Sequence, residues 1–471
     1  MSIINELESL LGAGQVLTGE AAAPFLVDWR NRYQGRALAV VRPGTAEEVA
    51  GVVRACFKHN VPVVPQGGNT SLCGAATPDE SGKAIVVSLQ RMNKVRSIDT
   101  DNDTMTVEAG CVLQSLQEAA RDAGRLFPLS LAAEGSCTIG GNLSTNAGGT
   151  QVLRYGNTRD LTLGLEVVTA EGEIWHGLRG LRKDNTGYDL RDLYIGSEGT
   201  LGIITAATMK LYPLPVATRT AMLAFNTLED SIEMLSRARA GFGAALTGFE
   251  VMMGSVLHSV VRLFPQQRLP FEGESANSTW FALLELSDSE SAEHAQQRFE
   301  EVLGQAIEDG LVLDAAIAEN IAQSKAMWHL RESIPLAEAE IGKSVKHDVS
   351  IPISRIAEYV ETTNAALQAK FPGVQHVVFG HLGDGNLHYN VVSAKDKSEQ
   401  ELMDRQYEVY ELVHDSVHAF GGSISAEHGV GQLKRDQLPK YKSGLELKLM
   451  KQIKSALDPK GLMNPGKVLQ A

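Results

Sequence analysis

Hydrophobic spacing predicts the first elements of this chain without help from composition. Residues 38–41 form a short apolar run, broken by Pro43-Gly44. Thr45 then stands where a helix cap is needed, with Glu48 three positions on, a capping-box spacing. Val49, Val52, Val53, Cys56 and Phe57 recur at i, i+3, i+4, i+7 and i+8, which is one helical face. Residues 61–64 are the next apolar run, so 38–66 reads strand, helix, strand. From there to about residue 212, short runs between turn residues predict strands at 84–89, 104–108, 161–169, 173–176 and 202–211, with loops between them.

Pro213-Leu214-Pro215 marks a change of texture. Beyond it, period-3.6 patterns predict long amphipathic helices at 228–240, 291–308, 353–370 and 400–420, and 280–286 is apolar enough for a strand. Strands mixed with long helices in this way predict an α+β domain on an antiparallel sheet. Near the end, 445–457 is helical by period and stops at Asp458-Pro459, ahead of Met463-Asn464-Pro465-Gly466.

Length and composition narrow the class. A chain of 471 residues exceeds one ordinary core, so two or three domains are expected. Hydrophobic residues at 43% and charged residues at 21% describe a globular protein. A net charge of −14 argues against nucleic acid as partner, although a local Arg or Lys can still bind an anionic substrate. The N-terminus lacks a basic segment followed by an apolar one, and no apolar run reaches the ~18 residues of a spanning helix, so neither a signal peptide nor a transmembrane segment is expected. Cys56, Cys73, Cys111 and Cys137 are irregularly spaced with no CxxC pair, which predicts free thiols and a cytoplasmic setting.

Three glycine-rich stretches carry candidate chemistry in the first half. Pro65-Gln66-Gly67-Gly68-Asn69-Thr70-Ser71 closes a strand, and its freed N–H groups and hydroxyls make either an anion cradle or an ordinary glycine turn. Residues 134–149 hold five glycines in sixteen positions and almost no bulk. Such a segment is expected to admit a large flat or phosphorylated ligand rather than to pack as core. Gly196-Ser197-Glu198-Gly199-Thr200-Leu201-Gly202-Ile203-Ile204 runs from a turn into a strand. Neither G-x-G-x-x-G nor G-x-x-x-x-G-K-[ST] occurs, which removes the usual arguments for a Rossmann fold or a P-loop.

In order and spacing, these runs resemble the FAD-binding domain of the vanillyl-alcohol oxidase and p-cresol methylhydroxylase (PCMH) flavoproteins, over about residues 36–215. The resemblance implies a PCMH-type domain of two α/β subdomains. It implies that Pro65, Gly67, Gly68, Asn69, Thr70 and Ser71 hold the pyrophosphate. Gly135, Thr138, Ile139, Gly140, Gly141, Asn142, Ser144, Thr145 and Asn146 would wrap pyrophosphate, ribityl and flavin edge, and Glu198, Gly199, Gly202 and Ile204 would reach the adenosine half. Members with a covalent flavin often carry a histidine where this chain has Asn69, so the FAD is expected to be non-covalent.

Two further stretches concentrate imidazole and carboxylate: Gly380-His381-Leu382-Gly383-Asp384-Gly385-Asn386-Leu387-His388-Tyr389-Asn390 and Ser425-Ala426-Glu427-His428-Gly429-Val430-Gly431. Strand alternation puts His388 and Asn390 on one face, and His381 can face His388 across the turn. Two histidines and a carboxylate suit a divalent ion with open positions for substrate, but satisfied histidines in a tight turn read equally well from spacing alone.

Both stretches resemble signatures of the FAD-linked D-2-hydroxyacid dehydrogenases, among them D-lactate, glycolate and D-2-hydroxyglutarate dehydrogenases, and of the alkyl-glycerone-phosphate synthases. The resemblance implies a FAD-linked oxidase substrate domain at 216–452 and a tail at 453–471 that returns to the flavin through Asn464. It implies that His381, His388 and Glu427 hold a divalent ion, Zn2+ in type, that Asn390 contacts substrate, and that His428 is the catalytic base. The implied reaction oxidises a D-2-hydroxy acid to the 2-oxo acid by hydride transfer to the flavin.

Arg331 and Lys346 are either substrate-carboxylate anchors or solvated surface cations by pattern. The segments around them resemble the D-2-hydroxyglutarate dehydrogenases most, and this implies substrate-binding roles for both. Pro335 departs from that subgroup, which often has threonine there; Ser333 could substitute, or the site accepts D-lactate or another D-2-hydroxy acid. An alkyl-glycerone-phosphate-synthase-like transferase, a longer protein with extra N-terminal sequence, and a non-catalytic FAD-binding subunit are the alternatives. An electron-transfer flavoprotein or a quinone suits as electron acceptor, and a homodimer is compatible with the chain.

Overall fold

The computed structural model describes residues 2–393 and 399–470. The chain divides into two compact units. One comprises the chain up to Gly148, Gly156–Leu214 and the segment from Glu427 onward; the other comprises Gly149–Tyr155 and Pro215–Ala426.

The first unit opens with a four-stranded sheet in the order Val16–Leu17, Ala37–Val41, Ala84–Ser88, Val63–Gln66, the last three parallel. The predicted helix runs Ala46–His59. Thr45 Oγ1 accepts the Glu48 amide at 3.2 Å, while the Glu48 carboxylate takes the Gly44 amide at 2.6 Å, one residue short of a full capping box. Its apolar face, Val49, Val52, Val53 and Cys56, buries against Ala39, Val41, Ile85 and Val87, each large side chain contributing roughly 1.5–3 kcal/mol. The strand expected from 61 begins at Val63. Asn60 adopts the left-handed conformation, and the Val61 amide is consumed closing the helix on Cys56 O.

A second sheet is antiparallel throughout, in the order Val95–Asp99, Thr104–Glu108, Gly202–Lys210, Thr162–Thr169, Ile174–Gly177. Four helices interrupt the region read as strands and loops, two of them the single turns Val152–Tyr155 and Arg191–Tyr194. Leu113–Asp122 buries Leu113, Leu116 and Ala120. More instructive is Ile139–Thr145, inside the glycine-rich run expected to avoid the core: Ile139 and Leu143 are fully buried. Gly140 lets this helix lie on Ala109, whose Cβ would be 2.7 Å from an added methyl. The low bulk therefore serves close helix packing as well as ligand access.

The C-terminal segment is stitched into the same unit. Met463 bridges Val63, and the Asn464 amide donates to Val63 O at 2.8 Å. The helix Gly444–Leu457 has a capping box from Ser443 and Glu446, and its Lys454 donates to Asp458, Thr200 O and Met463 O.

The second unit is an antiparallel sheet in the order Asp314–Ile317, Ala217–Phe225, Trp280–Asp288, Leu246–Met253, Gln375–His381, Asn386–Val392, Ser344–Val345, with Asp348–Ser350 also paired to Asn386–Val392. Helices Gly254–Leu263, Ile321–Glu332 and Ile334–Ile341 share a core with Met222, Met252, Phe281, Leu283, Val377 and Phe379. Leu228–Phe242 and Ala292–Glu308 pair through Phe242 and Phe299, ring centroids 5.6 Å apart. The helix expected at 400–420 is two helices, Glu399–Asp404 and Gln406–Ala419, because Arg405 leaves helical dihedrals (φ −104°, ψ 14°) and closes the first on Leu402 O. No helix among the described residues is long and apolar enough to cross a membrane. All four cysteines are buried, free thiols.

Candidate active site

The glycine loops of the first unit meet around one open cleft. Pro65, Gly67, Gly68, Asn69, Thr70 and Ser71 line it, as do Thr138, Gly140, Gly141, Asn142, Ser144, Thr145, Glu198, Gly199, Gly202 and Ile204. Gly135, Ile139, Asn146 and Asn464 do not. Ile139 is core. Asn146 caps its helix in the left-handed conformation and accepts the Arg159 amide. Asn464 donates to Ala75 O and Glu198 O at 3.0 and 2.7 Å, tying the tail to the cleft wall. Leu131, Ala132, Ala133, Cys137, Ala147 and Gly148 also line the cleft, and no local motif marked the first three.

The walls fit a phosphorylated, flat ligand. A Cβ at Gly67 would lie 2.3 Å from Thr138 Oγ1, and one at Gly68 would lie 2.1 Å from Ser136 O, so only glycine permits this approach of the two loops. Asn69 Oδ1, Thr138 Oγ1 and Asn142 Oδ1 are buried with no hydrogen-bond partner among the described residues, which marks polar groups awaiting a ligand. Asn69 uses its amide nitrogen on Val27 O at 2.8 Å.

Glu427 and His428 border the same cleft, their carboxylate and imidazole 3.4 Å apart. Glu198 holds their segment. It has φ +53°, an uncommon conformation for a side chain with a Cβ, and its carboxylate accepts the Val430 and Gly431 amides at 2.7 and 2.8 Å. Burial pushes its carboxyl above the ordinary range, against the opposing pull of those two amides. Glu198 thus lines the cleft while its carboxylate binds protein backbone.

In the second unit, register gathers the polar groups. Glu250 stands opposite His381, His381 opposite Asn386, Phe379 opposite His388, and His388 opposite Asp348. Directly paired residues share a face, and so do residues two apart on a strand. Glu250, His381, Asn386, His388, Asn390 and Asp348 therefore project from one face of the sheet, while Leu387, Tyr389 and Val391 fill the other. The rings of His381 and His388 lie 5.8 Å apart, and the donor atoms of Asp348 and His388 are within 4.8 Å. Imidazole and carboxylate are the donors a borderline divalent ion takes, and Asp348 and His388 supply one of each, whereas His381 does not fall within that cluster of donor atoms.

The two cations are placed by the helices covering that face. Arg331, in the last turn of Ile321–Glu332, is buried and lies over the Phe379 ring at 4.7 Å. Its Nε donates to Glu250 Oε2 at 2.8 Å, and its Nη2 lies 2.8 Å from the same oxygen as an ion pair. Lys346 donates to Glu338 Oε2 at 3.1 Å, and Asn390 donates to the same oxygen at 3.0 Å. Arg331 is thus a buried anchor, whereas Lys346, about a third exposed at 34%, is a looser point charge. Pro335 occupies the first turn of Ile334–Ile341, where a missing N–H costs nothing. Ser333, the suggested substitute for threonine, is buried with its hydroxyl accepting from Gln267 at 2.7 Å.

Glu250, Glu338 and Asp348 were not singled out by sequence. A signal existed for Glu250, the one charge in Leu246–Met253, an otherwise apolar or small strand. Burial pushes its carboxyl up, but the charges at His381 and Arg331 outweigh that and hold it below the ordinary range.

Residues 214–468 match the family described as FAD linked oxidases, C-terminal domain, and residues 37–177 match the FAD binding domain family. A relative from Bos taurus named D-2-hydroxyglutarate dehydrogenase, mitochondrial, is 40% identical over 460 residues, spanning 97% of this chain and 81% of its own. One from Xanthomonas citri pv. viticola, named D-2-hydroxyglutarate dehydrogenase, is 38% identical over 445 residues, spanning 94% and 91%. The structure of p-cresol methylhydroxylase with substrate bound superposes with a TM-score of 0.76 at 18% identity, over 99% of this chain and 96% of that one, a likeness of fold. The chain belongs to the FAD-linked oxidases and, among them, to the D-2-hydroxyglutarate dehydrogenase family.

Proposed function

We propose that this protein is a FAD-dependent, metal-assisted dehydrogenase that oxidises D-2-hydroxyglutarate to 2-oxoglutarate. The observation that carries the reading is the pair of cations on the polar face of the second unit, Arg331 and Lys346, each held by its own buried glutamate. A C5 diacid presents two carboxylates, and two cations suit it better than they suit D-lactate.

The first-unit cleft holds FAD non-covalently. Asn69 stands in the loop where a histidine would attach a flavin, and flavin released into the supernatant on acid precipitation is the expected result. His381, His388 and Glu427 hold the divalent ion, Zn2+ by donor type; Asp348, beside His388, is a further candidate donor. When bound, the flavin supplies a hydride acceptor and the ion a Lewis acid that eases loss of the α-hydroxyl proton.

The protein's own residues do the rest. Arg331 grips a carboxylate with the guanidinium edge that Glu250 leaves open. Lys346 neutralises a second carboxylate, and Asn390 orients the substrate with its amide. His428 takes the hydroxyl proton, a task suited to an imidazole whose ordinary pKa of ~6.5 lies near working pH. Electrons then leave to an electron-transfer flavoprotein or a quinone, in a cytoplasmic setting consistent with four free thiols.

Anaerobic addition of D-2-hydroxyglutarate is expected to bleach the flavin, and prior chelation to slow the bleaching strongly. An unbleached flavin would refute the substrate assignment, and bleaching indifferent to chelation would refute the ion.

A further inference from the structure

We propose that Glu250 is the positioning residue of this site, one carboxylate that sets both the cation Arg331 and the histidine ligand His381. The inference rests on the roles proposed above for those two residues.

Glu250 is fully buried in Leu246–Met253. Its Oε1 meets His381 Nδ1 at 2.6 Å, and its Oε2 accepts from Arg331 Nε at 2.8 Å with Nη2 in ion-pair contact at 2.8 Å. An ionised carboxylate only accepts hydrogen bonds, so Nδ1 of His381 must carry the proton. That fixes the tautomer in which Nε2 is the lone-pair nitrogen and directs it away from the carboxylate, as a metal-binding imidazole requires. On the other side, the Nε–Nη2 edge of Arg331 is occupied and its face is seated on Phe379. The guanidinium is left one orientation, with its remaining Nη1 edge for a substrate carboxylate.

No neutral side chain does both jobs. A strand buried along this length would pack a leucine or methionine without the desolvation that a carboxylate suffers, and buried ion pairs are replaceable by apolar residues without loss of stability. The charge is therefore explained by what it orients.

The test uses Glu250→Gln and Arg331→Gln in the flavin-loaded protein after chelation, with Zn2+ affinity measured by calorimetry and steady-state KM and kcat measured for D-2-hydroxyglutarate. Glu250→Gln is expected to lower Zn2+ affinity roughly 10–100-fold, the usual effect of losing a partner behind a ligand histidine, and to raise KM. Arg331→Gln is expected to raise KM and leave Zn2+ affinity at the wild-type value, because the Glu250–His381 contact survives. A flavin-loaded Glu250→Gln protein with wild-type Zn2+ affinity overturns the proposal. A wild-type protein that neither binds Zn2+ nor is reduced by D-2-hydroxyglutarate overturns the underlying reading as well. Should Glu250→Gln fail to fold, the double variant Glu250→Gln/Arg331→Gln, which buries no uncompensated guanidinium, takes its place. Weaker Zn2+ binding than in Arg331→Gln alone then supports the proposal, and equal binding overturns it.

Discussion

Lys346→Ala separates recognition of a second carboxylate from the chemistry common to all D-2-hydroxy acids. The Lys346 ammonium sits 3.1 Å from Glu338 Oε2, with its side chain 34% exposed. A hydrogen bond to a charged group contributes about 1.5–3 kcal/mol net, and partial exposure argues for the lower half, about 1.5–2 kcal/mol. At 1.36 kcal/mol per decade, that is roughly a 10–30-fold loss in kcat/KM for a C5 diacid. D-lactate lacks the distal carboxylate and escapes this loss. It shares only the smaller effect of leaving Glu338 with the Asn390 amide as its hydrogen-bond donor, a change that loosens Asn390 for either substrate. The assay is dye-linked turnover of both acids at equal flavin content, and the ratio of the two kcat/KM values is the quantity read. Equal losses on both acids, with the ratio constant within about twofold, would refute the diacid reasoning. Lys346→Arg, which keeps a cation in reach of Glu338, should recover part of the ratio.

Gly68→Ala should weaken FAD binding, because its Cβ would sit 2.1 Å from Ser136 O; overpacking of about 1–3 kcal/mol predicts a roughly 5–150-fold higher Kd, and an unchanged flavin fluorescence titration would contradict it. Glu198→Ala should destabilise far more than Glu198→Gln. The first leaves the Val430 and Gly431 amides without an acceptor at about 1–3 kcal/mol each, whereas the second keeps one; matching thermal shifts would exclude this. Burial lowers His376 from 6.5 to about 4, so the folded protein keeps it neutral while the unfolded chain binds a proton. Its contribution is present above about pH 6.5 and is lost as pH falls toward 4, by at most about 3 kcal/mol. His376→Gln should flatten the urea-derived stability profile over that window, and a profile parallel to wild type would refute the assignment.

Local rules were enough for much of the framework. The 3.6-residue spacing of Val49, Val52, Val53 and Cys56 located a helix whose cap at Thr45 was also legible, since both signals depend only on neighbours along the chain. Glycine spacing pointed to the segments at Gly67 and Gly140 that line one cleft, because a backbone that must approach another segment or a ligand cannot carry a Cβ. The same signal misread Ile139–Thr145 as loop: low bulk is needed equally by a ligand cradle and by a helix packed tightly on Ala109, and only the partner tells them apart.

What tertiary structure alone decided is which charges meet. Glu250 and His381 are 131 residues apart and become neighbours through strand register; Glu250 and Arg331 meet because a helix covers that sheet face. Likewise Glu198 lines the cleft, and its carboxylate is spent on backbone amides more than two hundred residues away. Sequence by itself determined the strongly periodic elements such as Ala46–His59, the glycine-rich segments and the imidazole-bearing strands, which are short-range properties. Which carboxylate orients each cation and histidine follows from long-range pairing and burial, and those arise only when the sheet closes.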